Sequence, residues 1–363
     1  MALDPQYAEA YAWLSWAYYF EWVFFWNTDP QTLERAFELA QQAVALDDSL
    51  PRAHAVLGNV YAQKQQYDQA IAEGERAIAL DPNHADSYAI QAGTLILAGR
   101  PADALRLAEQ AMRLNPHYPP FYLHILGAAY HFTGRSTEAV ATAKEFVSRS
   151  PSHLYGLLGL AISYVEQWAS QQSTDAQTLA QALAAAQRII ALNDSFSVGH
   201  LVLGIVYLWQ KQYEPALAEL ERAIALDPND ALGYAVLAET LSRVGRPEEA
   251  VRMVEQALRR KPRVADQHLY IVGSAYHLAG RPEEAIAPLK QYLTRYPNIL
   301  GAHLTLAAVY SELGRAAEAR AEAVEVLRLN PQFSLEVHRQ REPIKDPALL
   351  ERHLTALRKA GLK

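Results

Sequence analysis

The chain of 363 residues contains no cysteine, which excludes disulfides, thiolate metal sites and cysteine nucleophiles together. Glycine and proline number 17 and 19, about a tenth of the chain, so neither a collagen-like polymer nor a disordered chain fits the composition. The net charge of −7 argues against a nucleic-acid or anionic-membrane surface as the main binding site. The longest dense apolar stretch, 11–26, is interrupted by Ser15 and Glu21 and is too short to span a membrane.

Motifs for cofactors and catalysis are missing as well. The sequence has no Walker loop, no G-x-G-x-x-G opening a helix, no H-E-x-x-H and no G-x-S-x-G. No two of the 12 histidines are three or four residues apart, so no helix face presents a ready metal site. No export signal follows Met1. We therefore expect no cofactor, metal or catalytic residue, no membrane insertion, and a cytoplasmic location.

What the sequence does have is an internal repeat, which its prolines reveal. Pro82, Pro116 and Pro151 are 34 and 35 residues apart, and Pro228, Pro262, Pro297 and Pro331 are 34, 35 and 34 apart. This spacing predicts nine units, which begin near Ala8, Pro51, Ala85, Pro120, Leu154, Ser197, Ala231, Asp266 and Leu300.

Two positions of the unit hold only small side chains. The eighth position is Ser15, Gly58, Ala92, Gly127, Ala161, Gly204, Ala238, Gly273 and Ala307, and the twentieth is alanine in all nine units. Small residues at both positions allow two antiparallel helices to approach closely, and a tyrosine or leucine at the eleventh position fills the space beside them. Each unit is therefore predicted to be a helical hairpin.

The turns and signature residues agree with a known repeat family. Segments such as 244–247, Val-Gly-Arg-Pro, place glycine where a first helix ends and proline where a second begins. The pattern His54-x2-Leu57-Gly58-x2-Tyr61, followed by Ala70, Ala77 and Pro82, resembles the tetratricopeptide repeat. The resemblance implies an all-α fold, a right-handed superhelical solenoid of nine helical hairpins, whose partners are proteins or peptides.

The repeats are themselves duplicated. Residue i corresponds to residue i + 146, so that Trp22 falls on Trp168 and His131 on His277. We expect the end of a truncated upstream repeat at 1–7, a first four-repeat block at 8–153 and its tandem copy at 154–299. A ninth repeat at 300–333 and a C-terminal capping helix pair at 334–363 complete the predicted organisation.

A second resemblance concerns the surroundings in which such repeats occur. The "AIALDPN" units, the Gly-Arg-Pro-Glu-Glu-Ala turns and the C-terminal motifs are similar to the carboxy-terminal repeat regions of bacterial adenylate/guanylate cyclases and related signalling regulators. In those proteins the repeats are the non-catalytic part. The resemblance implies an interaction or regulatory part of a larger signalling protein.

The same family resemblance identifies the residues of a binding groove. In this family the first helices line the concave face, and positions two, five, nine, twelve and thirteen of each unit point into it. The predicted groove residues are Asn59, Gln63, His124, His131, Phe132, Trp209, Glu239, Arg243, Tyr270 and His277. Trp209 and Tyr270 are expected to contribute most to the binding of a peptide.

The first hairpin is unusually rich in aromatic residues, and two readings of it remain open. Trp16, Tyr19, Trp22, Phe25 and Trp26 either lie beneath an upstream hairpin or form a self-association patch that makes the chain a homodimer. The leading hypothesis is a non-catalytic scaffold that binds a protein segment in its groove. The alternatives are a module that dimerises through the N-terminal hairpin and, remotely, an enzyme fragment.

Overall fold

The computed structural model describes residues 5–23, 29–260 and 268–363, and all regular secondary structure in these ranges is helical. The first helices are α1 (Ala8–Val23), α2 (Pro30–Leu46), α3 (Pro51–Gln63), α4 (Tyr67–Leu80), α5 (Ala85–Leu97), α6 (Pro101–Leu114), α7 (Pro120–Phe132), α8 (Ser136–Arg149), α9 (Leu154–Ala169) and α10 (Thr178–Leu192). The remaining helices are α11 (Ser197–Trp209), α12 (Tyr213–Leu226), α13 (Ala231–Arg243), α14 (Pro247–Arg260), α15 (Leu269–Leu278), α16 (Pro282–Arg295), α17 (Leu300–Glu312), α18 (Ala316–Leu329), α19 (Leu335–Arg341) and α20 (Pro347–Ala360). The all-α fold class is confirmed.

The chain divides into two compact units, Met1–Ala129 and Tyr130–Lys363. The division falls inside α7, whereas the two sequence blocks meet between 153 and 154. The two boundaries describe different properties, because a block is a copied stretch of sequence and a compact unit is a set of helices that pack together.

The two helices of a hairpin approach each other closely because the residues at their crossing point are glycine, alanine or serine. In the first unit, the Ser15 hydroxyl donates a hydrogen bond of 2.7 Å to the carbonyl of Ala36. In the second unit, a Cβ at Gly204 would lie 3.1 Å from the carbonyl oxygen of Ala216 and 2.8 Å from the Cγ of Leu220. The alanines of the twentieth position are all buried. The close helix approach predicted from the small residues is therefore confirmed.

The turn between the two helices of a hairpin needs a left-handed residue. Gly99 and Gly245 supply it with φ of 76° and 84°, as the Gly-Arg-Pro segments predicted. Among the described residues, Gln65, Gln171 and Lys211 are the non-glycine residues in this conformation, with φ of 60°, 60° and 59° after α3, α9 and α11. A non-glycine residue is uncommon in this conformation.

The C-terminal helices cover the last hairpin. Helix α20 packs against α17 and α18, and its apolar residues, among them Leu354 and Leu357, join the core of that hairpin. The Ser334 hydroxyl accepts a hydrogen bond from the N–H of Val337, and the Asp346 carboxylate accepts one from the N–H of Ala348. These are the N-terminal caps that side-chain acceptors form.

Candidate functional site

Residues predicted to line a groove meet at one cavity of about 380 Å³ that lies within the second unit. Seven of the predicted residues line it, namely His131, Phe132, Trp209, Glu239, Arg243, Tyr270 and His277. They come from the first helices of four hairpins, α7, α11, α13 and α15. Between them the wall is mostly aliphatic, with Ile205, Val236 and Ile271 as examples.

Three predicted groove residues belong to the first unit and do not reach this cavity. Asn59 is buried, and its side-chain oxygen accepts a hydrogen bond of 3.2 Å from the Thr94 hydroxyl of α5. Gln63 hydrogen-bonds to the phenol of Tyr19. His124 is exposed on α7. Asn59 therefore joins neighbouring hairpins, a structural role that the groove prediction did not anticipate.

The polar centre of the cavity is an arginine between two carboxylates. Arg243 Nη2 donates a hydrogen bond of 3.0 Å to Glu239 Oε1, and Arg243 Nη1 donates to Glu342 Oε1. The hydroxyl of Ser274 donates a second bond of 2.7 Å to Glu239. Burial opposes the charge on Arg243, but the carboxylates of Glu342 and Glu239 raise its pKa. Burial also opposes the charge on Glu342, whose pKa the neighbouring guanidinium lowers to about 2.

A second ion pair lies at the α7 side of the cavity. His131 Nδ1 is 2.6 Å from Glu166 Oε2. Burial lowers the pKa of His131, but the carboxylate of Glu166 outweighs burial and raises it. Next to this pair, the ring of Phe132 packs against Tyr296 with centroids 4.6 Å apart. The His131–Glu166 pair contributes little net charge to the cavity when His131 is protonated, because the two charges are opposite.

The C-terminal segment 334–346 borders the cavity, which the prediction of a simple cap did not include. The side chain of Gln171 makes two hydrogen bonds of 3.0 Å to the main chain of Ser334. Its oxygen accepts from the Ser334 N–H, and its nitrogen donates to the Ser334 carbonyl. The Lys211 ammonium donates to the carbonyl of Gln340 at 2.9 Å, and the N–H of Lys345 donates to the carbonyl of Arg243 at 2.8 Å. The side chains of Gln171 and Lys211 therefore hold this segment by its main chain.

Arg341 fixes the same segment on α9. Its guanidinium lies 3.9 Å from the ring centre of Trp168 and donates to the carbonyls of Trp168 and Ser173 at 2.7 and 2.9 Å. Arginine suits this site because its flat guanidinium can stack on an aromatic ring while its N–H groups donate in plane.

Three buried histidines connect the C-terminal helices to the repeats. His277 Nε2 is 3.3 Å from His353 Nδ1, and His353 Nε2 is 3.1 Å from His338 Nε2. Burial lowers the pKa of all three imidazoles, that of His353 to about 3. Their positions in the sequence are far apart, so no spacing rule could have found this histidine chain.

Three units carry a histidine at their fourth position that forms hydrogen bonds within the hairpin. His54 Nδ1 is 2.6 Å from Glu73 Oε2, and His54 Nε2 is 2.9 Å from the carbonyl oxygen of Asp48. His200 and His303 make the same two contacts in their own units. The hydrogen bond that His54 donates to the Glu73 carboxylate outweighs burial and raises the pKa of His54. Each of these histidines therefore ties the two helices of its hairpin to the preceding loop.

The proposed self-association patch is largely interior where the structure describes it. Tyr19 is buried and stacks on Trp16 with centroids 5.6 Å apart, and Trp22 packs in the same cluster. Burial raises the pKa of Tyr19 to about 12, although its hydrogen bond to Gln63 opposes the shift. Phe25 and Trp26 lie outside the described residues. Tyr19 is buried, whereas Trp16 and Trp22 are half-buried and pack against their own hairpin and its neighbour, and self-association through this hairpin stays a prediction.

Among residues 5–23, 29–260 and 268–363, no cluster of three or more histidine, aspartate or glutamate side chains could hold a metal ion. Within the same ranges no helix combines the length and apolarity needed to cross a membrane.

The cavity and hairpins define the chain as a helical-repeat interaction scaffold, and comparison with known proteins specifies the family. Models described as tetratricopeptide repeat match residues 51–84, 86–110, 120–145, 198–230, 219–252, 236–298 and 276–339. Together the matches cover more than half of the chain, which belongs to the tetratricopeptide repeat family. Members of this family are typically non-catalytic scaffolds for protein–protein interaction.

Several solved structures are similar to this chain. The tetratricopeptide repeat protein TTC0263 of Thermus thermophilus is 27% identical with a TM-score of 0.47, and the match covers 52% of this chain and 98% of that one. The APC/C hetero-tetramer Cut9–Hcn1 gives 18% identity and a TM-score of 0.52 over 89% of this chain and 59% of that one. The human IFIT1 dimer with m7Gppp-AAAA is 14% identical with a TM-score of 0.55, and the match covers 82% of this chain and 68% of that one. The last two similarities support the fold, and no curated protein sequence matched the chain.

Proposed function

We propose that the second unit binds an extended segment of a partner protein along the inner face of its first helices. The observation that carries this proposal is the convergence of seven predicted groove residues on one cavity. Trp209 and Tyr270 are half-buried there, so each offers an apolar body together with a polar group. Aromatic residues of this kind contribute most of the binding energy at protein interfaces.

The C-terminal segment supports the idea that this face recognises main chain. Gln171 and Lys211 bind the carbonyls of Ser334 and Gln340, and these contacts do not depend on the identity of the segment's side chains. Main-chain hydrogen bonds give affinity to an extended peptide, while side-chain pockets give specificity. A partner segment that used the same groups would compete with the C-terminal segment for this part of the face.

The family and the resemblance of the motifs support a proposal about the wider role. We propose that the chain is the docking part of a larger signalling protein in the cytoplasm, without catalytic activity of its own. The turn at 245–250, Gly-Arg-Pro-Glu-Glu-Ala, supports the signalling context because it resembles the repeat regions of bacterial cyclases. Turnover of any nucleotide substrate by the purified chain would contradict the non-catalytic part.

A displayed library of random peptides tests the binding face directly. Peptides are selected on the intact chain, and their affinities are measured for the chain and for the double variant Trp209→Ala, Tyr270→Ala. We expect the double variant to weaken the selected peptides at least tenfold, since loss of two anchors removes the most productive contacts. The variant Trp13→Ala is the matched control, because Trp13 is exposed in the first unit, where it stacks on Arg52.

The two variants separate the possible results. Peptides that bind the double variant as tightly as the original chain would refute the proposed face. Peptides weakened equally by Trp13→Ala would show that the selected site lies in the first unit.

A further inference from the structure

The size of the cavity determines what it can hold. The cavity, with a volume of about 380 Å³, is at the small end of the range for ligand sites. It is large enough for one long side chain of a bound segment. The half-buried Trp209, Tyr270 and His131 at its wall leave it open to solvent.

The charges around the cavity do not balance. Arg243 is the single positive charge between two carboxylates, Glu239 and Glu342, and Glu166 is matched by His131. The histidines at the C-terminal side are held neutral, because burial lowers the pKa of each. Among the residues that line the cavity, one negative charge is therefore in excess, and it would attract a cation.

The first copy of the duplicated block shows that the hairpin does not need these charges. The residues that correspond to Glu239 and Arg243 are Gly93 and Leu97. Helix α5, which carries them, has the same length as α13 and the same paired helix behind it. The Glu239–Arg243 pair is therefore additional to the packing of the repeat.

One buried donor in the cavity also lacks a partner. Within the described residues, Arg243 Nε makes no hydrogen bond, although Arg243 is only 5% exposed. A buried N–H without an acceptor costs free energy, so the position of Arg243 is not explained by the packing of the repeat alone.

We propose that the cavity is a pocket for a lysine side chain of the partner segment, whose ammonium lies at Glu239. This inference rests on the proposed function and specifies its partner as a basic segment. The methylenes of the lysine lie against Ile205, Val236 and Ile271, and the ring of Trp209 or Tyr270 faces the cation.

Short blocked peptides test the pocket on the full chain. The peptide is Ala-Ala-X-Ala-Ala, where X is lysine, norleucine or glutamate, and affinities are read by NMR titration. We expect the lysine peptide to bind at least tenfold more tightly than the norleucine peptide and the glutamate peptide to bind least. Glu239→Gln should reduce the lysine preference to less than threefold, whereas Glu239→Asp, which keeps the charge, should retain most of it.

The control variant and a free amine complete the design. Glu249→Gln removes an exposed carboxylate that pairs with Arg246 outside the cavity, and it should leave the lysine preference unchanged. Equal binding of the lysine and norleucine peptides would overturn the lysine pocket alone. Binding of n-pentylamine as tight as that of the lysine peptide would overturn it in favour of a free amine. Failure of every peptide to bind would overturn the pocket and the proposed segment-binding face together.

Discussion

Acid should destabilise the second unit through the buried histidine chain. His277, His338 and His353 are buried and have lowered pKa values. The folded unit therefore binds fewer protons than the unfolded chain between the unfolded histidine pKa of about 6.5 and the lower folded values. The stability that these neutral imidazoles provide is present above pH 6.5 and is lost as the pH falls below it.

The groups that face the histidines do not reverse this sign. Glu342 and Glu312 lie 3.7 and 3.6 Å from His338 and His277, and they favour the charged imidazoles. Burial and the cations Arg243 and Arg352 act in the opposite direction and are stronger. Arg243 also holds the Glu342 carboxylate ionised, with a pKa of about 2, so Glu342 does not titrate in this pH window.

The size of the effect follows from the pKa shift. A group that stays neutral in the fold loses about 1.4 kcal/mol of stability for each pH unit below 6.5. His353, whose folded pKa is about 3, should therefore cost about 2 kcal/mol between pH 6.5 and pH 5. Such a loss is a large part of the roughly 5–15 kcal/mol that stabilises a typical domain.

Urea unfolding at pH 7.5, 6.5, 5.5 and 5.0, followed by tryptophan fluorescence, measures this dependence. We expect the free energy of unfolding to fall steeply below pH 6.5 and His353→Gln to reduce the slope by about 1.4 kcal/mol per pH unit. His117→Gln is the control, because His117 is exposed in the first unit. A stability that does not change between pH 6.5 and 5, or a slope that His353→Gln leaves intact, would refute the reasoning.

Three further predictions concern the hairpins and the C-terminal segment. His54→Gln should destabilise the first unit by about 1 kcal/mol at pH 6 and by less at pH 8. The reason is that Glu73 raises the pKa of His54, so the stability from this pair is lost as the pH rises; urea unfolding curves at both pH values measure the difference. Gly204→Leu should cost about 1–3 kcal/mol, since its Cβ meets atoms within 3.1 Å, and a thermal midpoint equal to that of the original chain would contradict it. Arg243→Met should cost about 3–5 kcal/mol of stability and speed hydrogen exchange in 334–346, because Glu342 loses its buried partner. Unchanged exchange in this segment would contradict the inference that the Arg243–Glu342 pair holds it.

The hairpins could be predicted from the sequence because their determinants are local and repeated. Nine alanines at one position and nine small residues at another specify a helix crossing, and the structure buries these alanines where the alignment placed them. Gly99 and Gly245 marked the turns by the same logic, since a left-handed residue is needed there. Repetition makes each of these signals stronger than it would be in a single hairpin.

The contacts of the C-terminal segment could not be predicted, because they join residues far apart in the chain. Glu342 reaches Arg243, and Ser334 reaches Gln171 across 163 residues. No periodicity links such positions, and each donor or acceptor is an ordinary polar residue when read alone. One clue was available, since Gln171 and Lys211 occupy turn positions that glycine holds in other repeats.

Comparison of the two copies of the block separates what the fold requires from what the site requires. Positions that pack hairpins are the same in both copies, as Gly58 and Gly204 illustrate. Lys211, which holds the C-terminal segment, corresponds to Gln65, which has the same left-handed conformation, with φ of 60°. Arg243 corresponds to Leu97, which has no charge to pair with Glu342. Because one backbone accepts both residue sets, the second set is explained by the segment and the cavity that it serves rather than by the repeat.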